Sequence, residues 1–281
     1  MQAKAYAKLN LTLDILRKRE DGYHDLQMVM QSIDLCDDLT VTPTSAPGKM
    51  STTLSYLPSD DRNLAQIAAK AFREHTGSDL QVDVSIHKRI PVCAGMAGGS
   101  SDGAAVLRAM NELTGNALSP RELARVGEAV GSDVPYCVLG GTALAEGRGE
   151  QLTPLPPLPT CHVVVCKPPF PISTPQLFSR VDVRKITCRP DTAGLISALE
   201  QGDLVGVARR VYNVFEDVLE PRRKAEIDAI KTVLIDCGAL GAAMTGSGPT
   251  VFGLFDDLAA AQLAKTQLER SYQDVFLCKT V

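Results

Sequence analysis

Apolar and polar residues alternate from Tyr6 to Ile15, the period of a half-buried strand, and the run meets RKREDGYH, whose Asp21-Gly22 pair predicts a turn. A second apolar run from Met28 to Leu35, a break at Asp37-Asp38 and a β-rich LTVTPT predict further antiparallel strands before a loop around Pro47-Gly48. Past Asn63, a candidate N-cap, Leu64, Ile67, Ala68, Ala71 and Phe72 fall on one helical face, and Gly77 stands where that helix should stop. Leu80, Val82, Val84 and Ile86 alternate again, predicting a strand that runs through Lys88 and Arg89 to Pro91. The glycine-rich segment VCAGMAGGSSDG (92–103) then leads into AAVLRAMNEL, a strong helix former with Gly115 past its end. Ser119-Pro120-Arg121-Glu122 combines a capping box with proline at the first helical position and opens a helix burying Leu123, Val126 and Val130. GSDVPYCVLGG and a strand, TALAEG, follow.

Four prolines between Pro154 and Pro159 exclude helix and suggest a boundary between domains at 1–153 and 160–281. The second begins with the strand CHVVVC and carries helical patterns through roughly 193–237. A strand from Ala242 to Thr245, a GSGP turn and a strand from Val251 to Phe255 come next, then a helix from Leu258 to Tyr272 and a terminal strand from Val275 to Val281. Helices on one face of an antiparallel sheet make an α+β class.

Composition narrows the function. The 29 Lys and Arg against 33 Asp and Glu leave a net charge of −4, which disfavours wholesale nucleic-acid binding. No apolar stretch approaches the roughly 18 residues of a spanning helix, so no membrane partner is expected. The eight cysteines form no CxxC pair, and the four histidines offer no zinc spacing. They read as reduced thiols, and AKLNL beginning at residue 7 leaves no room for a leader, so a cytoplasmic location is expected.

Three segments can carry chemistry. A glycine-rich loop feeding a helix offers unobstructed amides and a partial positive charge to phosphate oxygens, with Ser100 and Ser101 as added hydroxyls. It is neither a Walker A loop nor GxGxxG, and it also fits a tight loop required only for close packing. Phosphoryl transfer further needs a group that orients the attacking hydroxyl and a cation that holds spreading charge. Asp133 and Lys8 are candidates; an ordinary turn or N-cap aspartate and a solvated strand lysine are the alternatives.

Taken together, AKLNL (7–11), DGYHDLQMVMQSIDL (21–35), IPVCAGMAGGSSDGAA (90–105), GSDVPYCVLGGTALAEGRGE (131–150) and MTGSGPTVFGLF (244–255) resemble the GHMP kinases, over nearly the whole chain and in the expected order. The resemblance implies a two-domain α+β GHMP kinase fold. Its N-terminal half would be like a domain also found in a ribosomal protein, and its C-terminal half would be ferredoxin-like. It implies ATP and a small-molecule alcohol bound between the domains, with Mg2+ required. The GYH segment is similar to that of the member whose methylerythritol substrate carries cytidine diphosphate, in the non-mevalonate route to isoprenoid precursors.

Carried over by position, the resemblance makes Asp133 the catalytic aspartate and Lys8 the catalytic lysine. The ATP loop becomes Pro91, Val92, Cys93, Ala94, Gly95, Met96, Ala97, Gly98, Gly99, Ser100 and Ser101. Asn10 would lie near the substrate hydroxyls, and Tyr23, His24 and Phe178 would form a cytidine pocket. Gly246 and Ser247, in GSGPT, would face a ligand or serve as a structural hairpin. Asp102, beside the loop, would either repel phosphates or recruit magnesium. Another GHMP kinase, of the mevalonate or homoserine type, and a nucleotide- or RNA-binding module are the competing readings.

Overall fold

The computed structural model describes residues 1–281. In chain order its elements are β1 (Gln2–Lys18), β2 (His24–Thr44), β3 (Met50–Thr52), α1 (Leu64–Thr76), β4 (Gln81–His87), α2 (Gly98–Leu113), α3 (Pro120–Glu128), α4 (Val134–Leu139), β5 (Thr142–Gly147) and β6 (Gln151–Pro154). There follow β7 (His162–Lys167), α5 (Thr174–Ser179), α6 (Thr192–Glu200), α7 (Leu204–Ala208), β8 (Tyr212–Asn213), α8 (Pro221–Asp236), β9 (Gly241–Met244), β10 (Val251–Phe255), α9 (Leu258–Leu268) and β11 (Asp274–Lys279).

The local signals of the sequence act where expected. Asn63 accepts from the Ala65 amide to cap α1, Gly77 ends it in the left-handed conformation, and Ser119 with Glu122 completes the capping box of α3. Four expectations are corrected. Asp37-Asp38 does not break β2, because the Asp37 carboxylate is buried against Lys88. β4 ends at His87 instead of Pro91, since the Arg89 and Ile90 amides turn to Asp37 Oδ1. The second half of the glycine-rich segment is helix: α2 starts at Gly98. Between 193 and 237 the helical pattern is interrupted by β8 and a 3-10 turn at Val214–Val218, where Asn213 caps the Phe215 amide.

The chain packs into two interleaved units. The first comprises residues 1–7, 35–90 and 97–140. In it β4 pairs antiparallel with β2, from Asp38 opposite His87 to Thr44 opposite Gln81, and β3 lies parallel to β4. The four helices α1–α4 enclose a core with this sheet that includes Phe72, Val84, Ile86, Leu107 and Met110. Gly103 lets α2 approach α1 closely, because an added Cβ would stand 3.2 Å from the Leu64 carbonyl oxygen.

The second unit comprises residues 8–34, 91–96 and 141–281, so the proline-rich segment lies within it. Its antiparallel sheet runs β11–β7–β10–β9, with α8 and α9 packed upon it. The central strands β7 and β10 are almost wholly buried, hence the unbroken apolar runs HVVVC and VFGLF. This unit also holds the β1–β2 hairpin end, where β1 pairs with β8 and β2 with β5. The α+β class read from the sequence is the one observed.

Candidate active site

In the second unit, alternation along β1 places Lys8, Asn10, Thr12 and Asp14 on one face, and all four are buried. A row of buried polar side chains is costly unless each finds partners, and these do. Lys8, only 4% exposed, donates from Nζ to Asn10 Oδ1 at 2.6 Å. The Asn10 amide donates to Thr245 Oγ1 at 2.9 Å, Thr12 Oγ1 accepts from the Val29 amide, and Asp14 Oδ1 accepts from Arg189 Nη1 at 2.5 Å. The solvated-lysine alternative for Lys8 is thereby excluded.

Beside this row, the Lys8 amide donates to the Met96 carbonyl and fixes one end of the loop. Within 91–96, Ala94 and Met96 are buried, Cys93 is exposed with φ 54°, and Gly95 has φ 74°. Gly95 lies against the Thr245–Gly248 turn: a Cβ there would stand 2.4 Å from the Thr245 carbonyl oxygen, and one on Gly246 would stand 2.6 Å from the Gly95 oxygen. Two glycines thus interlock backbone to backbone. Asn213 braces the same turn by donating to the Met244 and Gly246 carbonyls at 2.8 Å, while Glu216 accepts from the Met244 amide and pairs with Lys231. Ser247 Oγ lies 2.7 Å from Thr174 Oγ1 at the start of α5.

That helix carries Phe178, whose ring stacks on His24 with centroids 5.1 Å apart and 21° between planes; Phe215 meets Phe178 edge-on at 4.9 Å. A separation of 5.1 Å is that of two rings in direct contact with each other, so His24 and Phe178 form one platform and not an open slot. Burial and the Lys18 charge lower the His24 pKa, which favours neutral imidazole. Tyr23 stands apart from the stack, 57% exposed with the Arg148 guanidinium 5.4 Å above its ring.

In the first unit, Ala97 precedes α2 in the left-handed conformation (φ 57°) and provides no side-chain cap. The opening turn, with Gly98, Gly99 and Ser100, therefore has no capping side chain to compete with an anion for its amides. Ser101 differs from expectation: it is buried, its amide bonds the Ala97 carbonyl, and its hydroxyl donates to the Tyr6 carbonyl at 2.5 Å. Asp102 neither faces outward to repel phosphate nor stands free to recruit magnesium, because its carboxylate meets buried Lys88 at 2.7 Å. Asp133 precedes α4 and is half-buried; its carboxylate does not cap the helix, which removes the N-cap alternative.

Sequence reasoning did not identify Thr12, Asp14, Lys88, Asn213, Glu216 or Phe215. For the first two the signal was present, since polar residues at every second position of a strand continue the face that bears Lys8 and Asn10.

Two family models match the chain, the GHMP kinases N terminal domain over residues 63–141 and the GHMP kinases C terminal over residues 195–274. Relatives named 4-diphosphocytidyl-2-C-methyl-D-erythritol kinase from Clostridium botulinum (strain Eklund 17B / Type B) and Clostridium kluyveri are 45% and 43% identical, over 100% of both chains in each case. The chain belongs to the GHMP kinase family. Among GHMP kinases of solved structure, a 4-(cytidine 5'-diphospho)-2C-methyl-D-erythritol kinase superposes with a TM-score of 0.83 at 31% identity, covering 100% of this chain and 99% of that one. A homoserine kinase from Cytophaga hutchinsonii, at 19% identity and a TM-score of 0.76 over 100% and 94%, shares the fold.

Proposed function

We propose that this chain transfers the γ-phosphoryl group of ATP to the 2-hydroxyl of 4-(cytidine 5'-diphospho)-2-C-methyl-D-erythritol, giving the 2-phosphate and ADP, a step of the non-mevalonate route to isoprenoid precursors. The observation that carries this reading is end-to-end relatedness to kinases named for that substrate. It is supported by a buried lysine beside an amide, a glycine loop leading to an uncapped helix, and a His24–Phe178 platform.

In this reading the substrate's 2-hydroxyl oxygen bonds to the γ-phosphorus as the bond to the β–γ bridging oxygen breaks, and Asp133 takes the hydroxyl proton. Lys8, oriented by Asn10, stabilises charge developing on the attacking oxygen, and Asn10 also neighbours the substrate hydroxyls. The amides of residues 92–99 and the Ser100 hydroxyl receive the phosphates, Pro91 lacking an N–H to donate and Ser101 acting through the backbone geometry it anchors. Gly246 and Ser247 shape the loop from beneath. Tyr23, His24 and Phe178 receive the cytosine, with stacking worth about 1–3 kcal/mol.

Three or more His, Cys, Asp or Glu side chains that could hold a metal are nowhere grouped. The donor set therefore suits Mg2+ arriving as the ATP complex, since Mg2+ keeps several waters and binds largely through substrate phosphates. We further assign the inherited modules to 1–153 and 160–281, each containing one family match, and infer a cytoplasmic protein acting on a small molecule without nucleic acid or membrane. No helix is long and apolar enough to cross a membrane.

The test is ADP release with Mg-ATP and the cytidylyl substrate, run beside mevalonate, homoserine and galactose. Turnover with the first alone is expected; turnover only with another alcohol would cancel the cytidine assignment.

A further inference from the structure

A buried charge cluster in the first unit has no part in the chemistry above. Lys88 Nζ donates to Asp37 Oδ2 at 2.5 Å and to Asp102 Oδ2 at 2.7 Å, and none of the three side chains is more than 5% exposed. Asp37, on β2, also accepts from the Arg89 and Ile90 amides through Oδ1, at 2.5 and 2.8 Å. Asp102 lies on α2, five residues into the helix. The Lys88 ammonium further underlies Gly98, where an added Cβ would be 3.4 Å from Nζ. One cation thus joins β2, the segment entering residues 91–97 and the helix leaving them.

This arrangement is not what stability alone would select. Taking ions out of water costs several kcal/mol each, and an apolar cluster of similar volume is often at least as stable. Here two carboxylates share one ammonium, Asp102 Oδ1 has no hydrogen-bond partner, and burial pushes the Asp102 carboxyl up to about 7. What the cluster does supply is directional bonds that an apolar core cannot: residues 88–90 and 98–102 are held in fixed relation, and they flank the glycine loop on both sides.

We propose that Lys88 is a positioning residue for the nucleotide: bonded to Asp37 and Asp102, it sets the spacing between the chain entering the 91–97 loop and the helix leaving it, and so the geometry of the amides that meet the phosphates. This rests on the reading of that loop as the ATP site. Because the bonds of the cluster hold the two flanks of the loop, its loss acts on ATP and not on the cytidylyl substrate.

The experiment compares wild type, Lys88→Met and Asp102→Asn by calorimetric ATP binding and by KM for each substrate. Lys88→Met is expected to raise both the Kd and the KM for ATP at least ~10-fold, about 1.4 kcal/mol, with the cytidylyl KM within ~2-fold. Asp102→Asn keeps the shape and an oxygen acceptor for Lys88, and should stay within ~3-fold of wild type. Unchanged ATP affinity in folded Lys88→Met overturns the proposal, as does an equal rise in both KM values, the mark of general loosening. Should Lys88→Met not fold, Asp102→Leu severs only the link to α2; an ATP-selective loss there supports the proposal and unchanged ATP affinity overturns it. Wild type that binds no ATP would overturn the loop reading itself, and this is seen before any substitution is made.

Discussion

Gly95→Ala isolates the interlock between the glycine loop and the 245–248 turn. Two costs can be worked from the geometry. Gly95 has φ 74°, and a non-glycine residue in the left-handed region costs roughly 1–2 kcal/mol. The new methyl would stand 2.4 Å from the Thr245 oxygen and 3.0 Å from the Gly248 nitrogen, both backbone atoms, so the loop or the turn must move by about 1 Å to restore van der Waals contact; overpacking of that kind costs about 1–3 kcal/mol. The expected total, about 2–5 kcal/mol, is divided between stability and ATP affinity according to whether the loop is displaced. Urea unfolding measures the first share and calorimetric ATP binding the second. Gly77→Ala is the control: its φ is 68° but an added Cβ has nothing within 4 Å, so it should show the backbone cost alone. Gly95→Ala no worse than Gly77→Ala, with unchanged ATP affinity, would refute the close approach.

Asp133→Ala is expected to lower kcat by about 10²–10⁴ with ATP affinity little altered; near-normal turnover would remove Asp133 from proton transfer. Phe178→Ala should raise KM for the cytidylyl substrate by roughly 5- to 150-fold, the equivalent of a 1–3 kcal/mol stacking loss, and leave KM for ATP in place; steady-state kinetics with each substrate varied would check it. The His24 pKa is lowered in the fold, so the native state favours the neutral ring. Its contribution to stability is complete above the unfolded value near 6.5 and declines as pH falls from there through the folded value. Cytidylyl KM should rise over the same acid range, and a KM flat from pH 8 to 5 would place the ring outside the pocket.

Much of the first unit was legible because its signals are local. The cap at Asn63, the capping box at Ser119 and the periodicity of α1 depend on residues within a few positions of one another. The pattern also exposed the strand face bearing Lys8 and Asn10, though it did not reveal that the face is buried. The second unit was less transparent between 193 and 237, where Asn213 stops the helical pattern by turning its amide to carbonyls 31 and 33 residues away.

By itself the sequence determined the α+β class, the order of most strands and helices, the glycine loop leading to a helix and, through its motif set, the GHMP resemblance. Tertiary structure alone decided that Lys8 is buried and bound to Asn10, that Ser101 and Asp102 turn inward, and that Phe178 stacks on His24 rather than beside Tyr23. The physical reason is range. Propensity, capping and periodicity act over one turn of helix or a few residues of strand, whereas the partners of Lys88, Gly95 and Phe178 are brought together across 51, 150 and 154 residues of chain by the burial of apolar faces that carry no mark of the polar contacts they enclose.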